Sequence, residues 1–113
     1  MMDFERFDVL KALFPFIDLQ VRKPRPVLVV SAMAFNARNG HVVVAMITTG
    51  AGSTWPSDYP IIDLGVAGLK HRSVVRWKLF TIANTEIGGQ IGRLSDADRS
   101  AVAVRLDAIL GGP

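Results

Sequence analysis

The chain has 113 residues, half of them hydrophobic, with 13 Lys and Arg against 10 Asp and Glu. This length and apolar content suit a single domain, residues 1–113, burying about two-thirds of its unfolded surface, and they exclude a disordered chain. The absence of cysteine rules out a disulfide scaffold, a thiol nucleophile and thiolate metal sites, and makes a cytoplasmic location the expectation.

The two histidines, His41 and His71, lack the spacing of a zinc site, so neither metal nor cofactor is expected. The opening MMDFERFD, with acids at Asp3 and Glu5, is unlike a secretory signal. The apolar runs fall short of the ~20 residues that cross a bilayer. A net charge of +3 and a pI near 9.8 are compatible with a nucleic acid or an acidic protein partner without choosing between them.

In chain order, Phe4 to Phe16 reads as a first strand, with a helical turn possible near its start. A basic loop follows, with Arg22, Lys23 and Arg25 set among Pro24 and Pro26. Each proline fixes its own φ and pushes the residue before it toward extended backbone. Such a stiffened cationic loop can seat a phosphate or a carboxylate; a solvated loop guarding a sheet edge has the same composition. Val27 to Val30 is a β-branched strand start. Asn36 to Gly40, N-A-R-N-G, predicts a tight hairpin turn. His41 to Thr49 is a third strand, its unbroken apolar run implying burial on both faces.

Gly50 to Pro60 is a Gly, Ser and Pro-rich loop carrying Trp55, an aromatic suited to contact with a partner or able to tuck back onto the sheet. Ile61 to Leu64 reads as a short strand, and Ser73 to Ala83 as a long one. In the latter, Val75, Trp77, Leu79 and Thr81 share one face, while Val74, Arg76, Lys78, Phe80 and Ile82 share the other. Ser95 to Asp98 has the form of a capping box, with a helix running to about Leu110 over an inner stripe of Val102, Leu106 and Ile109. Five or so strands and one terminal helix make a bent antiparallel sheet or small barrel with the helix packed on it.

Several blocks, in order, resemble the MazF/PemK family of toxins from bacterial toxin–antitoxin modules. They are Phe14-Pro15-Phe16-Ile17-Asp18; Lys23-Pro24-Arg25-Pro26 with the strand to Ser31; Val42 to Thr49; Ser57-Asp58-Tyr59-Pro60; Ala67-Gly68-Leu69 followed by Ser73-Val74-Val75-Arg76; and Ile91-Gly92-Arg93-Leu94-Ser95. The resemblance spans about residues 5–110. It implies a mainly β fold with a C-terminal helix, an SH3-like small barrel of the CcdB/PemK type, usually as a homodimer. It implies a metal-independent endoribonuclease that uses the ribose 2′-hydroxyl against the adjacent phosphate of single-stranded RNA, and a cognate antitoxin as protein partner.

Carried over by position, Arg25 and Thr48 match the family's catalytic residues. Phe16, Lys23, Thr49, Trp55 and Arg76 are candidate substrate-binding residues. Three positions depart from the family pattern. Lys78 stands where some members have an acid two residues after the arginine, Phe7 where a glycine precedes the first strand, and Gly50 where a polar residue follows the threonine. With Lys78 there, the chain has no Arg–Asp pair at this spacing. A gyrase-inhibiting toxin of the same barrel, or a weakly active RNA-binding relative, are the alternative readings. Val42 to Met46, or the loop after Thr49, is the expected contributor to a dimer face.

Overall fold

The computed structural model describes residues 4–13 and 23–112. Phe16 and Arg22 therefore lie outside the described residues. Six strands, β1 (Asp8–Ala12), β2 (Arg25–Val29), β3 (His41–Thr48), β4 (Tyr59–Pro60), β5 (Val74–Ala83) and β6 (Ile87–Arg93), form one sheet in the order β4-β5-β3-β2-β1-β6. Every pairing is antiparallel. Three helical segments complete the chain: α1 (Met33–Asn39), the single turn α2 (Leu64–Ala67) and the C-terminal α3 (Asp96–Ile109). The mainly β fold with a C-terminal helix is as expected. The sheet is bent but not closed by pairing, since β4 and β6 are its two edges.

Backbone contact between α2, directly after β4, and β6 spans the gap between those edges. A Cβ on Gly68 would fall 2.0 Å from the Ile91 carbonyl oxygen, and one on Gly92 would fall 2.4 Å from the Ala67 carbonyl carbon. Only glycine on both sides permits this approach.

Period-2 alternation divides the apolar side chains between two clusters. Val9, Leu28, Ala45, Ile47, Val75 and Trp77 point to one face, where Leu94, Val102 and Leu106 bring in α3. Leu10, Ala12, Val27, Val29, Val42, Val44 and Ile82 point to the other. β3 feeds both clusters, as its unbroken apolar run predicts. Within Val42 to Met46, Val42, Val44 and Ala45 are fully covered within the chain, while Val43 and Met46 are half-buried. Among the described residues no helix is long and apolar enough to cross a membrane.

Four local expectations need correction. The N-A-R-N-G segment ends a helix rather than turning a hairpin: Gly40, at φ 62°, is the left-handed C-cap of α1. Asn36 is buried and donates to the Phe4 carbonyl at 2.8 Å, tying α1 to the N-terminal segment. Residues 61–64 are not a strand. Asp63 caps α2 by accepting from the Val66 N–H at 3.2 Å, although Ile61 N–H still donates to the Ser73 carbonyl at 3.0 Å. β6 had no signal, because I-G-G-Q-I-G-R has few residues that favour a strand. Finally, Ile109 is exposed, and the inner stripe of α3 is Asp98, Val102 and Leu106.

The capping box is also one-sided. Ser95 Oγ accepts from the Asp98 N–H at 3.2 Å, but the Asp98 carboxylate turns inward. It accepts from Tyr59 Oη at 2.5 Å, Ile62 N–H at 3.1 Å and Asp63 N–H at 3.0 Å. One buried acid thus docks the β4–α2 connection onto the head of α3. Burial opposes its charge, yet the bonds from Tyr59, the two backbone amides and Ser95 outweigh that and hold its pKa below the usual value.

Candidate active site

Arg25 and Thr48 stand at the same end of the neighbouring strands β2 and β3. Val27 pairs with Met46 and Leu28 with Ala45. Extending that antiparallel register by two residues sets Arg25, at the head of β2, opposite Thr48, at the end of β3. Ala12 flanks Arg25 on β1 and Val74 flanks Thr48 on β5. Directly opposed residues share a face, so on that extended register Ala12, Arg25, Thr48 and Val74 make one row. The next row on that face is Leu10, Val27, Met46 and Arg76. Arg25 is exposed and Thr48 half-buried. Lys23 and Thr49 are exposed at the same strand ends.

Thr48 Oγ1 accepts from the Gly50 N–H at 3.3 Å. A hydroxyl used as acceptor keeps its own proton to donate. Gly50 sits at φ +77°, a conformation that side-chain-bearing residues rarely adopt. The departure at this position is thus what the backbone turn after Thr48 uses. Thr49 Oγ1 accepts from the Ala51 N–H in the same manner, at 3.3 Å.

Arg76 does not point free into this row. It is buried, at 5 % exposure, and its guanidinium grips the loop of residues 49–58. Nε and Nη2 donate to the two Asp58 oxygens at 3.1 and 2.8 Å, Nη1 to Ser53 Oγ at 3.0 Å and Nη2 to the Ser53 carbonyl at 2.9 Å. The bidentate geometry is one that arginine alone provides. The Arg76 hydrogen bonds hold the Asp58 carboxyl below its usual range, against a smaller cost of burial. On the opposite side of β5, Trp77 Nε1 donates to the Ser57 carbonyl at 2.8 Å. The loop is therefore gripped from both faces of the strand, beyond the point where two-residue β4 stops pairing.

Trp55 lies within this loop, 39 % exposed. Its N–H donates to Asp58 Oδ2 at 3.0 Å and its carbonyl accepts from the Asp58 N–H at 3.0 Å. Its ring lies against two cations, the Arg76 guanidinium carbon 5.5 Å and the Lys78 Nζ 5.7 Å from the ring centre. Between Ala45↔Leu79 and Met46↔Arg76 the β3–β5 register slips, leaving Trp77 and Lys78 without partners on β3. Bulges of this kind re-aim side chains, and this one sits where the loop is held. Among the described residues, no group of three or more His, Asp or Glu side chains converges as a metal site would.

A model of PemK-like, MazF-like toxins of type II toxin–antitoxin systems matches residues 5–110. The chain belongs to this family. Among solved structures it is similar to the Mycobacterium tuberculosis toxin MazF-mt6, at 27 % identity and TM-score 0.72, over 94 % of this chain and 98 % of that one. A second Mtb toxin is 32 % identical over 74 % of this chain and 90 % of its own, with a TM-score of 0.62. An endoribonuclease in complex with its cognate antitoxin from a mycobacterial species has the same fold, at 23 % identity and TM-score 0.76, over 100 % and 98 % of the two chains. No curated protein matches the sequence.

Within this PemK/MazF-like chain, the departure at Lys78 takes on a structural meaning. Arg76 does have an acidic partner, but it is Asp58, supplied from the loop 18 residues earlier, while Lys78 lies under Trp55. Sequence reasoning missed Asp58, Ser53 and the seat formed by Lys78. A carboxylate that far from its arginine leaves no periodic trace; the Ser57-Asp58-Tyr59-Pro60 block was its only sign.

Proposed function

We propose that this chain is the toxin of a type II toxin–antitoxin pair and that it cleaves single-stranded RNA as a metal-independent endoribonuclease. The observation that carries the reading is the Arg25–Thr48 row at the open end of the sheet in a chain of this family. Its similarity to MazF-mt6, and the endoribonuclease fold it shares, support the same conclusion.

In this reaction the ribose 2′-oxygen attacks the neighbouring phosphorus. A 2′-oxygen–phosphorus bond forms, the bond to the 5′-oxygen breaks, and the proton lost by the 2′-hydroxyl is balanced by one gained at the 5′-oxygen. The products are a 2′,3′-cyclic phosphate and a 5′-hydroxyl. The nucleophile is intramolecular, so it is already positioned. The remaining task is to stabilise charge on the non-bridging oxygens, which the guanidinium of Arg25 is suited to do. Thr48, with its oxygen committed to Gly50, donates its proton to a phosphate oxygen. Lys23 and Thr49 bind flanking phosphate, giving a salt-dependent share of the affinity. Phe16 and Trp55 stack bases. Arg76, its donors spent on the loop, acts as a positioning residue rather than on the substrate. The chain functions as a cytoplasmic homodimer, with a cognate antitoxin as its protein partner and no cofactor.

An oligoribonucleotide with a single 2′-deoxy sugar at the cleavage position tests the chemistry. The all-RNA strand should be cut in EDTA to give cyclic-phosphate ends, and the 2′-deoxy strand should stay intact at that position. Cleavage of the 2′-deoxy strand there would exclude 2′-hydroxyl attack.

A further inference from the structure

We propose that Trp55 is a base-stacking platform built by Arg76, Lys78 and Asp58, on which an unpaired RNA base lies while the adjoining phosphate meets Arg25 and Thr48. This deepens the ribonuclease reading and rests on it.

Four observations converge. A tryptophan on a Gly, Ser and Pro-rich loop would ordinarily lose its order; here the loop is fixed by four hydrogen bonds from Arg76 and one from Trp77. Both cations against the ring come from one face of β5, two residues apart, and the tryptophan stays 39 % exposed. The β5 bulge spans Trp77 and Lys78, within the segment that carries both cations. Arg76 shares its face of the sheet with Thr48 and lies one row along from it.

The platform therefore borders the Arg25–Thr48 row instead of standing on a separate surface. Asp58 neutralises Arg76, which leaves Lys78 as the net charge beneath the ring, facing a polyanion. An RNA base fits this setting better than a peptide because the neighbouring groups, Lys23, Arg25, Thr48 and Thr49, are suited to phosphate. Stacking accepts any base, so the platform orders the strand while sequence choice lies elsewhere.

The test uses the full chain. The chain holds two tryptophans, so the difference in fluorescence between wild type and Trp55→Phe isolates Trp55 and reports stacking directly while the Trp77 bond to the loop is kept. A single-stranded oligoribonucleotide should quench it, and the same strand with an abasic site beside the cleaved bond should quench it far less. In the wild-type background, Trp55→Ala should raise KM about tenfold and Trp55→Phe much less, as expected for one stacked base. Asp58→Asn should behave like Trp55→Ala, with kcat at saturating RNA changed less than about threefold in both. Lys78→Gln should raise KM and Lys78→Arg restore it.

Equal quenching by the intact and abasic strands, or an unchanged KM for Trp55→Ala, would overturn the platform while leaving the ribonuclease reading in place. Quenching by an acidic peptide but not by RNA would overturn it and assign Trp55 to the protein partner. A folded wild type that neither binds nor cuts RNA would overturn both.

Discussion

Phe7 is the one non-glycine residue with positive φ among those described, at 72°. Its ring is nonetheless buried, with the Arg6 and Arg99 guanidinium carbons 4.8 and 5.8 Å from its centre. Its backbone ties β2 to the residue after β6, donating to the Val29 carbonyl at 2.7 Å and accepting from the Leu94 N–H at 3.0 Å. The family's glycine at this position thus corresponds to a real backbone requirement, which Phe7 meets under strain and offsets by packing. Phe7→Gly and Phe7→Ala should both destabilise, but the glycine variant less, by about 1 kcal/mol, because only alanine retains the left-handed penalty. Urea denaturation of the two variants measures the difference, and an alanine variant as stable as the glycine one would count against strain at this position. At this scale the sequence was partly legible. Arg25 and Thr48 could be picked out by motif, and they stand at the same end of the neighbouring strands β2 and β3. Arg76 could be picked out too, but its binding to Asp58 and Ser53 could not, because that contact depends on a loop path that no spacing encodes.

Among the elements, long β-branched runs were read correctly and compact glycine-dependent pieces were not. β2, β3 and β5 carry their own propensity, and α3 its capping serine. α1 was missed because Asn-Gly serves a helix C-cap as well as a hairpin, and tertiary packing through buried Asn36 decides between them. β6 is held as a strand by its pairing with β1 and its contact with α2, neither of which is local. The two glycine-bearing blocks noted in sequence, Ala67-Gly68-Leu69 and Ile91-Gly92, turn out to touch one another. Gly92→Ala should therefore cost about 1–3 kcal/mol or more, since its Cβ would meet backbone that has no rotamer to yield. A shift in the urea midpoint measures this. An Ala substitution at Gly52, where a Cβ meets nothing within 4 Å and only the positive φ resists it, should cost less. Equal losses at the two positions would deny the close approach a special role.

Across the whole molecule, the Tyr59–Asp98 contact links one sheet edge to α3 and gives the fold a pH signature. Burial, reinforced by the Asp98 carboxylate, pushes the Tyr59 hydroxyl from 10.0 up to about 12. A folded-state pKa above the unfolded one contributes stability that is complete below pH 10 and is lost as the pH rises toward 12. Asp98 and Asp58 are shifted the other way, so their contributions are present above 3.8 and fade as the pH falls through their lower folded values. Asp8, raised chiefly by burial, opposes them and favours the folded state as it takes up a proton. Tyr59→Phe should cost about 1.5–3 kcal/mol at neutral pH by removing a hydrogen bond to a charged group. It should also flatten the loss of stability between pH 10 and 12. Thermal unfolding at pH 9 and pH 11 compares the two proteins; an unchanged alkaline loss in the variant would assign that loss to other groups.

The central claim is that the end of this sheet is a ribonuclease site organised by Arg25. The most direct measurement compares wild-type protein with Arg25→Ala on a long single-stranded RNA in EDTA, with circular dichroism confirming that both are folded. Arg25 is exposed at a strand end, so its removal should leave the fold intact. Wild type should give discrete fragments, with Arg25→Ala slower by about 10²–10³, the loss typical of one donor to a developing oxyanion. Equal cleavage by both proteins, or intact RNA in both, would contradict the account.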